Sequence, residues 1–247
     1  MSARRLLAVT ALALFVILPA EAQRRRAVRS APPGASSGSC HTFGLVQAGR
    51  KAAYLTTAPG GNVTFTITWI SDTPTQTKTT QVVSSQGTTT NVETVLDGEM
   101  VGTLRALKHL NVKGSTTVPI VGTLTTETDI TFIPSLVSGP AAGWCVDNTW
   151  NVAPVTEQIV VKSPQGTFPS TVTTVASTGK VLAVGESISV DGGTFNTVKY
   201  QGAIVSGTSV QTAITWVSMD HNIVVRQDTL DAGGNVTSVT KLTALLQ

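Results

Sequence analysis

Residues 62–70 read Asn-Val-Thr-Phe-Thr-Ile-Thr-Trp-Ile, and this stretch indicates the fold class. Val63, Phe65, Ile67 and Trp69 alternate with polar residues, so apolar side chains recur at every second position. A period of two is that of a β-strand with one buried face and one polar face. The stretch therefore predicts a strand that points Phe65, Ile67 and Trp69 into a core.

The same chemistry recurs along the chain. A second alternating stretch, 209–218, places Trp216 on its apolar side, and ten further β-rich runs lie between Lys78 and Leu245, among them 117–125. Turn-forming sequences such as Asp191-Gly192-Gly193 separate these runs. Threonine supplies 40 of the 247 residues, whereas charged residues supply only 13%. Because β-branched threonine suits the half-buried face of a strand, the composition also favours an all-β protein.

Residues 40–247 are predicted to form one mainly β domain, since a chain of this length can bury a single large core. The short turns favour an antiparallel meander that forms one curved sheet or half-barrel, with a β-sandwich as the alternative. Only residues 96–110 have helical spacing, through Met100, Leu104 and Leu107. This segment predicts one short helix.

The first 22 residues have the form of an export signal. Arg4 and Arg5 precede the apolar run 6–18, and the sequence Ala20-Glu21-Ala22 follows it. This order predicts a bacterial signal peptide that is cleaved before Gln23, and hence a periplasmic or extracellular protein. An uncleaved membrane anchor is the alternative, because arginines also follow the apolar run. The paired arginines do not identify the export route.

Residues 23–39 are rich in Arg, Ser, Pro, Gly and Ala, which predicts a disordered leader. Its basic residues favour peripheral contact with anionic lipid or polysaccharide, and a solvated tail is the competing interpretation. From Ser30 onward the chain has 11 basic and 13 acidic side chains, so nucleic-acid binding by the domain is disfavoured. The arginines of the leader are Arg24, Arg25, Arg26 and Arg29.

The chain has two cysteines, Cys40 and Cys145. An even number of cysteines in an exported protein favours a disulfide between them. A metal or nucleophilic site that also uses His41 is the alternative. No Cys-x-x-Cys motif or closely spaced His or carboxylate partner supports it, so no metal and no cofactor are predicted.

Large aromatic side chains are the candidates for ligand contact. Tryptophan on the inner face of a strand is most often part of the core, but such side chains can also line a ligand cavity in an exported β protein. The candidate ligand-binding residues are Phe65, Trp69, Trp150, Phe195 and Trp216.

No catalytic constellation is evident. His41, His109 and His221 are widely separated, and Asp220-His221 falls where two strands should turn. A hydrolase would need a nucleophile such as Ser218 with a base held beside it, and the sequence contains no nucleophile elbow, P-loop or His-Glu-x-x-His motif. The chain is therefore predicted not to be an enzyme.

Four segments of the chain match a known sequence pattern: 139–150, 181–186, 193–198 and 223–227. Through them the chain resembles exported bacterial domains of unknown function, which in turn resemble the lipoprotein-localisation-factor-like family. That resemblance implies a half-barrel of strands with a concave apolar face, either alone or wrapped around a helix. One departure is the turn Asp220-His221-Asn222, where a shorter glycine-containing turn is expected.

Three functions follow from these observations. The leading prediction is a non-enzymatic envelope protein whose curved sheet binds an apolar or amphipathic, lipid-like ligand. The second is a structural or adhesive module whose threonine-rich faces and sheet edges contact envelope proteins or polysaccharide. The third is an uncharacterised hydrolase.

Overall fold

A computed structural model describes residues 40–85, 88–102, 104–118, 122–140 and 143–246. The predicted signal peptide 1–22 and leader 23–39, with Arg24, Arg25, Arg26 and Arg29, lie outside the described residues. Within the described ranges the regular structure consists of β-strands. No helix there has the length and apolar character needed to cross a membrane. The strands are β1 Lys51–Ala58, β2 Gly61–Asp72, β3 Gln76–Ser85, β4 Thr88–Val101, β5 Leu104–Val118, β6 Gly122–Pro140, β7 Thr149–Asn151, β8 Val155–Ser163, β9 Gly166–Thr167, β10 Thr171–Val190, β11 Gly193–Ser206, β12 Ser209–Ser218, β13 Val224–Leu230 and β14 Val236–Leu246.

Twelve of these strands form a closed antiparallel barrel. The hydrogen-bonded order runs β10, β11, β12, β13, β14, β1, β2, β3, β4, β5, β6 and β8, and β8 pairs in turn with β10. Strands β7 and β9 lie outside this ring. The predicted half-barrel and the alternative sandwich are therefore wrong in detail, although the prediction of a mainly β antiparallel meander is confirmed. Because β8 pairs with β6 on one side and with β10 on the other, neither β6 nor β10 is the fully open edge strand that a half-barrel would have.

The predicted helix over residues 96–110 is also wrong. This segment is a hairpin of β4 and β5, and Gly102 at the turn has φ 61°. Leu96 and Leu110 are cross-strand partners, so the helix-like spacing arises because the apolar residues lie on both arms of a hairpin. The predicted strand 117–125 likewise spans two strands, since Thr117 pairs with Thr123 across the β5–β6 connection.

The inward face of the barrel holds the main core. The strand predicted at residues 62–70 is confirmed as part of β2, and it contributes Phe65, Ile67 and Trp69 to this core. Equivalent inward residues come from most of the other barrel strands. They are Ala52, Tyr54, Val83, Val92, Leu96, Leu110, Val112, Ile130, Phe132, Val155, Val175 and Leu242.

Residues 40–50, here called the strap, cross one end of the barrel. The strap forms a β-bridge between His41 and Trp144, and Gly44 N–H donates to Asn222 Oδ1 over 3.1 Å. Val46 N–H donates to Asp72 Oδ2 over 2.8 Å. Asp72 ends β2, and Asn222 lies in the turn between β12 and β13, so the strap spans strands that are far apart around the ring. We call this end of the barrel the strap end and the opposite one the far end.

The predicted disulfide between Cys40 and Cys145 is confirmed, and it ties the start of the strap to the segment that precedes β7. Behind it, Phe43 and Val46 are both buried. Disulfides persist in oxidising compartments, as the predicted export requires. Cleavage before Gln23 stays a prediction.

Candidate functional site

The five aromatic residues proposed as ligand contacts do not form one site. Phe65, Trp69 and Phe195 belong to the main core, whereas Trp150 belongs to a second buried cluster at the strap end. Trp216 belongs to neither cluster. All five are buried, and their contact with a ligand stays a prediction.

The second cluster is built around aromatic rings. Trp144 packs edge-on against Phe43 and Trp150, and Tyr200 lies against both tryptophans, with centroid distances of 5.0 to 6.0 Å. Trp150 lies directly over Gly179, its partner on β10. This arrangement fastens the strap and β7 to the barrel wall.

Trp216 lies in a row of charged residues. Its cross-strand partners are Lys199 and Arg226, and both cations lie about 5 Å from the indole centroid. Arg226 also forms a two-pronged contact with Asp228, at 2.7 Å for each pair of atoms. These cation–π contacts account for the burial of Trp216 outside both core clusters. Residues 209–218 form a strand as predicted, but its inward face carries Ala213 and Thr215 and not Trp216.

A group of polar side chains interrupts the apolar interior on β2, β3 and β4. We call Trp69, Thr79, Gln81 and Thr94 the polar island. Trp69 pairs with Thr79, and Thr79 pairs with Thr94, so these three form one row across the sheet. Gln81 is the next inward residue on β3.

Each member of the polar island is at most 5% exposed. Among the described residues, the indole Nε1, both threonine Oγ1 atoms and the amide Nε2 of Gln81 have no hydrogen-bond partner. A buried polar atom without a partner costs about 1–3 kcal/mol. Four such atoms in neighbouring positions are therefore the least satisfied part of the barrel interior.

Other interior hydroxyl groups have partners. Thr56 and Thr240 share a hydrogen bond of 2.8 Å, and Gln227 Nε2 donates to Thr215 Oγ1 over 3.2 Å. The missing partners of the polar island are therefore not a general property of polar residues inside this barrel.

Partly buried apolar side chains pack against the main core at both ends of the barrel, and three of them lie toward the far end. Val63, Ile159 and Ile204 are apolar and only partly buried, and they pack against the main core. Glu157 lies among them on β8 and accepts a hydrogen bond of 3.2 Å from Ser206 Oγ. Burial raises the pKa of Glu157, and the hydrogen bond from Ser206 offsets part of that rise. This end therefore combines an apolar lining with one carboxyl group.

The side chains of Ser218 and His221, which a hydrolase would use as nucleophile and base, have other hydrogen-bond partners. The imidazole Nδ1 of His221 lies 3.1 Å from Arg50 Nη1, and the hydroxyl of Ser218 accepts a hydrogen bond from the His221 backbone N–H. Asn222 adopts φ 57°, which confirms the predicted turn at this point. The imidazole of His221 therefore faces Arg50, and the contact between Ser218 and His221 is one that shapes the turn.

His109 lies on the outer face between two carboxylates. Its Nδ1 is 3.1 Å from Asp97 Oδ2, and its Nε2 is 3.3 Å from Asp129 Oδ1. Lys162 Nζ and Asn111 Nδ2 also donate to Asp129. Within the described part of the chain, no three His, Cys, Asp or Glu residues are grouped so as to hold a metal ion.

Asp129→Asn is expected to make the protein less stable at neutral pH by about 1 to 2 kcal/mol. Burial opposes ionisation of Asp129, but hydrogen bonds from Asn111, Lys162 and His109 and the charge of Lys162 outweigh it, so its pKa lies below the usual value. A carboxyl with a lowered folded-state pKa stabilises the fold above its unfolded pKa near 4, and this stability is lost as the pH falls.

Urea unfolding between pH 2 and pH 7 tests this expectation. The variant should show a shallower loss of stability on acidification than the parent protein. Asp147→Asn is the control, because its side chain is 76% exposed and its ion pair with Lys180 is a surface pair of small energetic value. Equal slopes for parent and Asp129→Asn would contradict the prediction.

Sequence reasoning did not identify Thr79, Gln81, Thr94 or Glu157 as site residues. The sequence of β3 is Gln-Thr-Lys-Thr-Thr-Gln-Val-Val-Ser-Ser, in which Thr77, Thr79 and Gln81 occupy inward positions. Polar inward residues give no apolar alternation, so periodicity alone cannot select them. Strand parity could have identified them. Val83 is an inward residue of β3, and every second residue before it lies on the same face of the strand.

Comparisons with known proteins identify two solved structures of low similarity. One is a candidate lipoprotein from Parabacteroides distasonis, with 14% identity and a TM-score of 0.34. The other is a candidate exported protein with a YmcC-like fold from Bacteroides fragilis, with 9% identity and a TM-score of 0.35. Each comparison covers 84% of this chain and 100% of the other. No family model matches the chain, and no curated protein matches it.

Proposed function

We propose that this is an exported, non-enzymatic barrel protein that binds an apolar or amphipathic, lipid-like ligand through the far end of the barrel. The supporting observation is the apolar inward face that continues to the far end, where Val63, Ile159 and Ile204 are only partly buried. At the opposite end the strap packs Phe43 and Val46 into the barrel, although Ile188, Val190 and Leu245 are partly exposed there too. A hydrocarbon chain that enters from the far end would therefore meet apolar surface without displacing the strap.

The dimensions of the barrel support the same proposal. Barrel diameter grows with strand number, and eight strands already suffice to hold one small ligand. Ligand sites are common in the mouths of β-barrels, where apolar walls combine with a few polar groups. Burial of a ligand's hydrocarbon contributes about 25 cal/mol per Å² before the cost of ordering. Of the aromatic residues predicted as ligand contacts, Phe65 lies on β2 toward the far end, whereas Phe195 lies near the strap end beside His221.

Native mass spectrometry with organic extraction tests this function on the protein purified gently from its own envelope. We expect a bound lipid at a defined stoichiometry. Ile204→Trp is expected to reduce that occupancy, because it enlarges an inward side chain near the far end. Val210→Trp on the adjacent strand is the matched control, since Val210 is 59% exposed. A bare protein mass in every preparation would contradict the proposal.

A structural or adhesive module is the second candidate. Exposed apolar side chains near the far end favour it, because a contact surface for an envelope protein would use such groups. In this case the protein would carry no lipid and would be retained on envelope protein or polysaccharide through these positions. The exposed residues are Leu124, Phe168, Val172, Val210 and Val236.

A further inference from the structure

We propose that the polar island binds the neutral oxygen-bearing head group of an amphipathic ligand inside the barrel. This inference rests on the proposed function and adds the ligand class and the place of its head group. It starts from the four buried polar atoms of Trp69, Thr79, Gln81 and Thr94 that have no partner among the described residues.

The chemistry of these four atoms identifies what they lack. An indole N–H only donates, an amide Nε2 only donates, and each threonine hydroxyl can donate or accept. The group therefore has an excess of donors, and an acceptor oxygen is its complement. Ester carbonyls, amide carbonyls and hydroxyl groups all supply such an oxygen.

The absence of charge within the polar island distinguishes among acceptors. Its four members are all neutral, so a carboxylate seated on them would be a buried charge without a partner in the group. Thr77 precedes the island on β3, and its hydroxyl donates to Asp72 Oδ1 and accepts a hydrogen bond from Arg105 Nη2 over 3.5 Å. The buried guanidinium of Arg105 therefore bonds to Thr77, outside the island. A neutral head group is therefore favoured over a fatty-acid carboxylate.

The surroundings suit the rest of such a ligand. Apolar inward residues flank the island, with Leu96 on the side of the strap end and Phe65, Val83 and Val92 on the side of the far end. Val63 continues this apolar line toward the far end. An amphiphile that enters from the far end would place hydrocarbon on these residues and its oxygen on the island.

Thr79→Val and Thr94→Val test the inference, because valine keeps the shape of threonine and removes the hydroxyl. Three probes delivered from cyclodextrin are titrated by calorimetry: monooleoylglycerol, oleate and hexadecane. We expect monooleoylglycerol to bind more tightly than oleate. Each variant should weaken monooleoylglycerol binding by about fivefold, the loss of one neutral hydrogen bond, and leave hexadecane binding unchanged.

Thr240→Val is the matched control, because its hydroxyl is satisfied by Thr56. It should lower the melting temperature of the ligand-free protein, whereas Thr79→Val should not, since a buried hydroxyl without a partner costs stability. It should also leave the preference of the barrel for monooleoylglycerol over hexadecane unchanged.

Any of three results would overturn the inference and leave the proposed function intact. The first is unchanged monooleoylglycerol binding in both valine variants, and the second is tighter binding of oleate than of monooleoylglycerol. The third is a Thr79→Val protein that fails to fold, because it would show that the hydroxyl has a structural partner. If none of the three probes binds the parent protein, the proposed function itself is wrong.

Discussion

Replacing Cys40 and Cys145 together by serine is expected to lower the free energy of unfolding by about 4 to 5 kcal/mol. The disulfide closes a loop with a sequence separation of 105 residues. In the chain-entropy model, a cross-link over a loop of this size removes that much conformational freedom from the unfolded chain. The effect is large because it is a sizeable part of the net stability of an ordinary domain.

Urea unfolding of the double variant, followed by tryptophan fluorescence, measures this loss. The parent protein in reducing buffer is the matched comparison and should lose a similar amount. A loss below about 1 kcal/mol in both would contradict the expectation. It would mean that the strap contacts, such as Val46 to Asp72, restrict the chain without the covalent link.

Gly179→Ala is expected to destabilise the protein by about 3 kcal/mol, at the upper end of the usual cost of overpacking. A Cβ atom at this position would lie 2.0 Å from Cζ2 of the Trp150 ring. Trp150 is buried against Trp144 and Tyr200, so the ring cannot move aside without disturbing the second cluster. The alanine methyl group therefore forces a shift in the barrel wall or in β7.

Gly202→Ala is the matched control, because Gly202 pairs with Gly179 on the adjacent strand. A Cβ atom there would meet its nearest neighbour, Tyr200 Cε2, at 3.7 Å, which is an ordinary contact. Its effect should stay within about 1 kcal/mol. In a double-mutant cycle, Gly179→Ala should cost little once Trp150→Ala is present, with a coupling energy of about 2 kcal/mol or more. Additive effects would show that the two positions are not in contact.

Local sequence patterns predicted the strands better than they predicted the connections between them. The alternation in 62–70 identified β2 because each polar threonine marks the solvent face and each apolar residue marks the core. The segment 96–110 was misassigned because spacing cannot distinguish one helical face from two arms of a hairpin. Leu96 and Leu110 meet only because Gly102 reverses the chain between them.

The candidate site was harder to predict than the fold. Trp216 follows the same alternation as Trp69, yet it lies between Lys199 and Arg226 instead of joining the main core. Periodicity shows which residues share a face, but not which face turns inward when the sheet closes. The polar island was missed for the same reason, since its inward threonines look like the threonines of solvent faces.

The sequence by itself determined that this chain is built of antiparallel strands and short turns, and it identified Cys40 and Cys145 as the pair that forms the disulfide. These features depend on local periodicity, turn chemistry and the count of one residue type. Only the tertiary structure decided that β8 joins β6 to β10 and closes the barrel, that the strap crosses one end, and that the polar island occupies neighbouring inward positions. Those outcomes depend on which distant strands pair. A barrel closes only when the register and packing of all twelve strands bring the first strand next to the last, and no single segment of sequence encodes that.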